Sequence, residues 1–134
     1  MKTFDVQSVG IDARRSRVFE FVAEPSNLPK WAKAFRSADT HSAQLETSEG
    51  TVAIRLKTDA RRDAGTVDWM MTFPDGSVGT AYARVTPDGE NRSVFSFVLM
   101  APPVPLEAVE GALDAQRKIL TEELARLKRI LETT

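Results

Sequence analysis

The chain has 134 residues, with 18 basic residues against 19 acidic ones, a formal net charge of −1, no cysteine and a single histidine. The missing cysteines exclude disulfides and thiolate metal sites, and a single histidine argues against a metal enzyme, so we expect no metal and no cofactor. The balanced charge argues against nucleic-acid binding. The lack of a long apolar run or an N-terminal leader argues against membrane insertion and favours a cytoplasmic protein. Residues 1–134 fit one domain.

The first part of the chain predicts a strand followed by two short helices. Residues 3–11 have strand-like content, and Asp12 stands where the N-cap of a helix is expected. The apolar stripe of this first helix consists of Val18, Phe19, Phe21 and Val22. Pro29 suits the first turn of a second short helix. The apolar residues of that helix are Trp31, Ala34 and Phe35.

Between residues 36 and 100 the apolar period changes to two, which predicts strands. Turn signals divide this segment into about five strands. The signals are Glu49-Gly50 and the runs at 59–65, 74–76 and 87–90. Because every connection is short, an antiparallel meander is favoured over parallel strands. With the first strand, the sheet is expected to have about six strands, one face of which is buried.

A proline-rich run at 102–105 ends the last strand, and a helix of about 26 residues is predicted to follow. Its apolar stripe recurs at steps of three and four and consists of Leu106, Val109, Leu113, Gln116, Leu120, Leu124, Leu127 and Leu131. A single sheet must cover this stripe. We therefore predict an α+β fold in which a curved antiparallel sheet wraps around the long helix, with a binding cavity between them.

Residues 18–31 resemble the beginning of a known superfamily. They combine a short apolar helix, a Glu24-Pro25 turn and Trp31 shortly after Pro29. This arrangement is similar to the SRPBCC superfamily of START-related lipid-transfer domains, polyketide cyclases and pollen-allergen-like proteins. The order of elements matches along the whole chain. The resemblance implies a helix-grip fold with a cavity for lipids, sterols, polyketides, quinones or similar ligands, and it carries over no catalytic residue. Many relatives have seven strands, whereas about six are predicted here, so we expect this chain to be a compact member with a smaller or more open cavity.

Hairpin geometry predicts which side chains face the cavity. If residues 74–77 form the turn, Trp69 pairs with Tyr82, and both point inward toward Leu113, Gln116 and Leu120 of the long helix. Arg84 then also points inward, whereas the small residues Gly79, Ala81 and Ala83 lie outside. Extending the register opposes Tyr82 to Phe95 and Thr80 to Phe97, unless a bulge turns Val94, Val98 and Met100 inward instead.

His41 is the first candidate for a general acid or base, because its pKa is ordinarily closest to neutrality. A two-residue loop at Glu49-Gly50 pairs Leu45 with Ile54 and His41 with Thr58, which turns His41 inward. A three-residue loop turns it outward. Both orientations stay open. Even if His41 faces inward, a lone histidine is more often structural than catalytic.

The predicted ligand-binding residues are Trp31, Phe35, Leu45, Ile54, Trp69, Met71, Tyr82, Phe95, Phe97, Leu113, Gln116 and Leu120. Alternatives remain for several of them. Trp69 and Tyr82 equally fit a filled core, and Trp31 and Phe35 fit either a seal on the core or a lid. Gln116 either anchors a polar atom of the ligand or bonds to a buried backbone group.

Three functions follow from these expectations. The favoured one is a non-catalytic carrier or sensor of an apolar small molecule, because few titratable groups are predicted to face inward. The second is a polyketide cyclase or dehydratase, for which the candidate catalytic residues are His41, Tyr82, Arg84 and Gln116. The third is a protein-binding module or homodimer that uses an outward apolar strip formed by Val94, Val98 and Met100.

Overall fold

A computed structural model describes the backbone of residues 3–47, 50–101 and 106–133, and the side chains of these residues except 106–111. The strands are β1 (Phe4–Ile11), β2 (Phe35–Ala38), β3 (Ser42–Thr47), β4 (Gly50–Arg61), β5 (Thr66–Thr72), β6 (Val78–Pro87) and β7 (Ser93–Met100). The helices are α1 (Arg15–Ala23), α2 (Leu28–Trp31) and α3 (Leu106–Glu132), and a single 3₁₀ turn, Pro25–Asn27, precedes α2. None of the helices in this part of the chain is long and apolar enough to cross a membrane.

The strands form one antiparallel sheet in the order β1-β7-β6-β5-β4-β3-β2. This sheet curls around α3, so the predicted α+β helix-grip fold is confirmed. The sheet has seven strands, however, where about six were expected. The expectation of a compact member with fewer strands than its relatives was therefore wrong.

The additional strand arises from a turn at residues 39–41. The Asp39 carboxylate accepts the backbone N–H groups of His41 at 2.8 Å and Ser42 at 2.9 Å, which closes a local turn. This turn divides one predicted strand into β2 and β3. The second helix ends at Trp31, and β2 already begins at Phe35. Ala34 and Phe35 are therefore not part of this helix, although the apolar spacing predicted that they were.

Hydrogen bonds in the middle and at the C-terminal end of α3 fix its position across the sheet. On β1, the Gln7 amide donates to the carbonyl of Arg117 and accepts from the Thr121 hydroxyl, each at 2.9 Å. Near its C-terminus, Glu132 accepts the backbone N–H of Asp12 at 2.7 Å. Asp12 is not the predicted helix cap, because α1 begins three residues later with Arg14 at the cap position.

The apolar stripe of α3 faces the sheet as predicted. Its buried members in the described part of the helix are Leu113, Leu120, Leu124, Leu127 and Leu131. The side chains of Leu106 and Val109, which the same pattern includes, lie outside the described residues.

The register between β5 and β6 differs from the prediction by one residue. Trp69 pairs with Ala81, and Tyr82 pairs with Asp68. The turn contains three residues, 74–76, because the Phe73 N–H donates to the Ser77 carbonyl at 2.9 Å and Gly76 adopts a φ of +88°. A shift of one residue moves every side chain of β6 to the other face. The predicted Trp69–Tyr82 pair was therefore wrong, and Tyr82 and Arg84 point outward.

The inner face of β6 consequently carries small side chains. Gly79, Ala81 and Ala83 are buried there, although the sequence placed them outside. On β7, Phe95 and Phe97 point inward as expected, but they oppose Val85 and Ala83 rather than Tyr82 and Thr80. Small residues on β6 thus lie beside large aromatic residues on both neighbouring strands.

Candidate functional site

A cavity of about 300 Å³ lies between the inner face of the sheet, α2 and the middle of α3. Its walls are mainly apolar. The strand residues that line it include Phe35, Leu45, Trp69, Met71, Gly79, Ala81, Phe97 and Leu99. The helices contribute Leu28, Trp31, Gln116, Ile119, Leu120 and Glu123. This volume falls at the lower end of the range of small-molecule pockets, about 300–1,000 Å³.

The cavity exists because side-chain volume is missing from β6. Gly79 and Ala81 line it opposite Met71 and Trp69 on the paired strand. Larger residues at these two positions would extend into the space that separates the sheet from α3. The turn geometry at Gly76, which sets the register of β6, therefore also decides where the cavity forms.

Three aromatic rings of the cavity wall, those of Trp31, Trp69 and Phe97, form a cluster with the core residue Phe95. Trp31 of α2 lies 6.4 Å from Trp69 and makes edge contacts with Phe95 at 6.0 Å and Phe97 at 6.4 Å, measured between ring centroids. Trp69 and Phe97 are 5.7 Å apart. Such tilted and edge arrangements are favourable for aromatic rings. The cluster fixes α2 to the sheet, so Trp31 is part of the wall.

The two indole N–H groups of this cluster are buried without a hydrogen-bond partner among the described residues. Trp31 and Trp69 are only 2% and 4% exposed. A buried donor that has no acceptor costs about 1–3 kcal/mol. Both residues line the cavity, but their Nε1 atoms are themselves buried, so the aromatic cluster carries this cost whether or not a ligand is bound.

Glu123 is an ionisable residue of the described cavity lining that was not predicted from the sequence. Its Oε2 atom accepts the backbone N–H of Lys33, at the end of α2, at 2.5 Å. Burial raises the pKa of the Glu123 carboxyl, against the opposing effects of the Lys33 N–H and of the Arg126 and Lys33 charges. The carboxyl is therefore more readily protonated than an exposed glutamate.

A signal for Glu123 was present in the sequence. Gln116, Leu120 and Glu123 follow steps of four and three, so they share one face of α3. The predicted stripe continued from Leu120 to Leu124 and passed over the neighbouring polar position. A search for polar residues within the helical stripe would have found it.

Gln116 lies in the cavity wall, and its side-chain amide makes no hydrogen bond to any residue of the described ranges. Of the two predicted roles, a bond to a buried backbone group is therefore not observed. Its amide has both a donor and an acceptor available.

Eight of the twelve predicted ligand-binding residues line this cavity. They are Trp31, Phe35, Leu45, Trp69, Met71, Phe97, Gln116 and Leu120. The other four lie elsewhere: Ile54 and Phe95 are packed in the core, Leu113 is buried on α3, and Tyr82 is 42% exposed on the outer face.

The candidate catalytic residues are not brought together. His41 is exposed in the turn between β2 and β3, and Arg84 lies on the outer face with Tyr82. The shifted β3–β4 register, in which Leu45 pairs with Val52, keeps Leu45 inward but leaves His41 outside the strand. Glu49, part of the predicted loop, lies outside the described residues. In the described ranges, no group of three or more histidine or acidic residues is arranged to hold a metal ion.

The outer face of the sheet carries apolar side chains as well. Val6, Val98 and Tyr82 are paired across β1, β7 and β6, and Val6 is 55% exposed. We call these three residues the outer patch. Of the predicted outward strip, Val94 and Val98 have this orientation, whereas Met100 contributes to the cavity lining.

Solved structures share this fold at low sequence identity. Protein XoxI from Bacillus cereus aligns with a TM-score of 0.72 and 14% identity, covering 97% of this chain and 96% of its own. A START superfamily protein from Mycobacterium smegmatis aligns at 0.69 and 12%, covering 96% and 99%. The di-domain ARO/CYC protein BexL of the BE-7585A biosynthetic pathway aligns at 0.69 and 17%, covering 96% of this chain and 46% of BexL.

At the level of sequence, no curated protein matches the chain. A family model does: the one described as polyketide cyclase / dehydrase and lipid transport matches residues 5–132. This match spans nearly the whole chain, including the turn and Trp31 that carried the resemblance. The chain therefore belongs to the polyketide cyclase / dehydrase and lipid transport family, within the SRPBCC superfamily.

Proposed function

We propose that this protein binds and carries a small, mainly apolar molecule, such as a lipid, a quinone or a polyketide, in the cavity between the sheet and α3. The observation that carries the proposal is the cavity of about 300 Å³ with apolar walls. Family membership supports it, because the fold is one that holds hydrophobic ligands. Burying the apolar surface of a ligand there contributes about 25 cal/mol per Å².

The polar groups of the cavity fit a ligand with few polar atoms. The Gln116 amide offers both a donor and an acceptor, and the Glu123 carboxyl offers a further acceptor. These groups would orient the ligand, while the aromatic and aliphatic walls provide most of the affinity.

We favour carriage over a cyclase or dehydratase reaction because of where the titratable groups lie. Of the four candidate catalytic residues, only Gln116 lines the cavity, and an amide is a poor general acid or base. Glu123 is a carboxyl with a raised pKa, but no second acid or base accompanies it among the described lining residues. A reaction that moves protons ordinarily needs both a general acid and a general base in the site.

Native mass spectrometry of the protein as purified tests the proposal. We expect an additional mass that corresponds to a bound small molecule, and recovery of that molecule unaltered after incubation. Conversion of the molecule during incubation would contradict the carrier proposal and show that the protein is an enzyme.

A titration with 1-octanol, followed by tryptophan emission, tests the location of the site. Trp31 and Trp69, the two tryptophans of the chain, both line the cavity, so bound alcohol should shift their emission. Ala81→Leu fills the space from inside and should weaken binding about tenfold or more. Tyr82→Phe is the matched control, because the adjacent side chain points outward. Equal binding by the Ala81→Leu variant would place the site elsewhere.

Self-association through the outer patch is a second candidate function. Exposed apolar side chains that are adjacent across neighbouring strands commonly mark an interaction surface, and Val6, Tyr82 and Val98 are adjacent in this way. We expect sedimentation at micromolar concentration to show a reversible dimer that Val6→Thr weakens. A monomer at all concentrations would contradict this candidate and leave the carrier proposal unaffected.

A further inference from the structure

We propose that the cavity selects uncharged ligands that carry a hydroxyl group over ligands that carry a carboxylate, and that Glu123 is the selecting residue. This inference rests on the proposed carrier function and specifies the class of ligand. It separates alcohols, phenols and hydroxylated polyketides or sterols from the anions of fatty acids.

The first step is the charge of the lining. Among the described residues that line the cavity, Glu123 is the only ionisable one, and no lysine or arginine accompanies it. Lys33 and Arg126 are close enough to influence its pKa, but both side chains are exposed, and neither belongs to the lining. The described part of the lining therefore offers a carboxylate and no cationic group that would hold a ligand anion.

The second step is the geometry of the carboxylate. Oε2 accepts the Lys33 backbone N–H at 2.5 Å, which fixes the side chain against the end of α2. Oε1 has no hydrogen-bond partner within the described ranges. An ionised carboxylate only accepts hydrogen bonds, so the available oxygen matches a hydroxyl donor on the ligand.

The third step is the effect of the apolar surroundings. Leu120 and Ile119 line the cavity beside Glu123, so a second carboxylate placed there would be repelled in a medium that screens charge poorly. A hydroxyl meets the opposite situation, because a hydrogen bond to a charged acceptor is stronger than one between neutral groups. The same residue thus attracts one class of ligand and rejects the other.

Binding of three probes of similar length tests the inference: 1-octanol, methyl heptyl ether and octanoate. Affinities are measured by calorimetry and tryptophan emission at about pH 8, which favours the ionised form of a glutamate. For the unaltered protein we expect 1-octanol to bind about tenfold more tightly than the ether, which lacks a donor, and octanoate to bind at least tenfold more weakly than 1-octanol.

Glu123→Gln removes the charge and keeps an oxygen that accepts the Lys33 N–H. We expect it to strengthen octanoate binding about tenfold and to weaken 1-octanol binding several-fold. Glu122→Gln is the control, because Glu122 is the adjacent glutamate, is exposed and does not line the cavity, so its removal should change the three affinities far less than Glu123→Gln does.

The possible results distinguish the two proposals. If 1-octanol and the ether both fail to bind, the carrier function fails, and the selection fails with it. If all three probes bind with similar affinity, and Glu123→Gln leaves their ratios unaltered, the cavity carries ligands but Glu123 does not select them.

Discussion

The two ends of the space between the sheet and α3 are built differently, although the same strands form both. At one end, which we call the closed end, side chains from β5, β6, β7 and α3 are fully or almost fully buried. They are Val67, Val85, Phe95 and Leu127. At the other, the open end, the same strands and helix present Met71, Gly79, Leu99 and Leu120 to the cavity. One sheet and one helix therefore provide both a solid core and a binding space.

Additional elements cover the closed end. The buried side chains of α1 are Val18, Phe19 and Val22. The Arg15 guanidinium at its start donates to the carbonyl of Arg62 at 2.6 Å, in the turn between β4 and β5. A buried hydrogen bond of 2.6 Å from the Ser93 hydroxyl to the carbonyl of Ala13 joins β7 to the segment before α1. These contacts fix the closed end independently of any ligand.

At the open end the covering element is short and the sheet residues are small. Among the described residues the covering element there is α2, of four residues, and β6 contributes Gly79 and Ala81. The comparison indicates that stability and binding are divided between the two ends. Changes at the closed end should alter the free energy of unfolding most, and changes at the open end should alter binding most.

The largest effect that we expect comes from truncating leucines of α3. Leu127 is 0% exposed and Leu120 is 2% exposed, so their burial is nearly equal. Leu127→Ala should lower the free energy of unfolding by about 3–5 kcal/mol. Leu120→Ala should cost at least about 1 kcal/mol less, because one side of Leu120 already faces the cavity and makes fewer contacts. Urea denaturation of both variants measures the difference, and equal costs would show that the cavity is closed in solution.

A smaller effect is expected from enlarging the alanines of β6. Ala83 faces Val67 and Phe97 across the sheet, so Ala83→Leu overpacks the core and should lower the free energy of unfolding by about 1–3 kcal/mol. Ala81→Leu places the same side chain two residues away, at the edge of the cavity, and should cost less than about 1 kcal/mol. Thermal unfolding of the two variants compares them directly. A greater loss for Ala81→Leu would reverse the assignment of the two ends.

The fold was predictable because its signals extend over long segments. The stripe of α3 and the alternation around Ile54 each involve many residues, so a local error changes neither the type of element nor the order along the chain. Strand number was less predictable, since it depended on one side chain: the Asp39 carboxylate that closes the turn before β3.

The faces of β6 could not be predicted, because their orientation depends on a single backbone conformation. Pro74-Asp75-Gly76 fits a turn of three or of four residues, and the hydrogen bond between Phe73 and Ser77, together with the positive φ of Gly76, defines the shorter one. Because the prediction used a turn of four residues instead of three, Tyr82 was assigned to the cavity and Ala81 to the surface. Trp69 was placed correctly because its own strand is bulky on one face, independently of its partner.

The presence of the cavity is difficult to predict from the sequence. Apolar periodicity marks the side that faces inward, but Phe95 in the packed core and Phe97 in the cavity wall satisfy the same pattern. Which of them borders empty space depends on the size of the residues opposite, and therefore on the register. Glu123 was missed because the predicted stripe passed from Leu120 directly to Leu124 and did not include it.

The smallest effect that we expect is the pH dependence of stability that Glu123 contributes. Burial raises its pKa above the ordinary value of 4.5, so the folded chain holds the proton more tightly than the unfolded chain does. As pH rises from the unfolded pKa through the folded one, the unfolded chain loses its proton first, and the free energy of unfolding falls. The penalty is complete above the folded pKa and absent below the unfolded pKa.

Glu123→Gln should remove this contribution, because its amide cannot ionise and can still accept the Lys33 N–H. The informative quantity is the free energy of unfolding of the variant minus that of the unaltered protein, measured by urea denaturation between about pH 4 and about pH 7. We expect this difference to increase with pH. The exposed carboxyls Asp39, Asp75, Asp114 and Glu132, whose hydrogen bonds lower their pKa values, make contributions of the opposite sign, but these occur in both proteins and cancel. Glu122→Gln, one residue away on the exposed surface, should show no comparable trend. If the difference for Glu123→Gln were constant or decreased with pH, the carboxyl would be solvated in the folded protein, and the open end would be accessible to water even without a ligand.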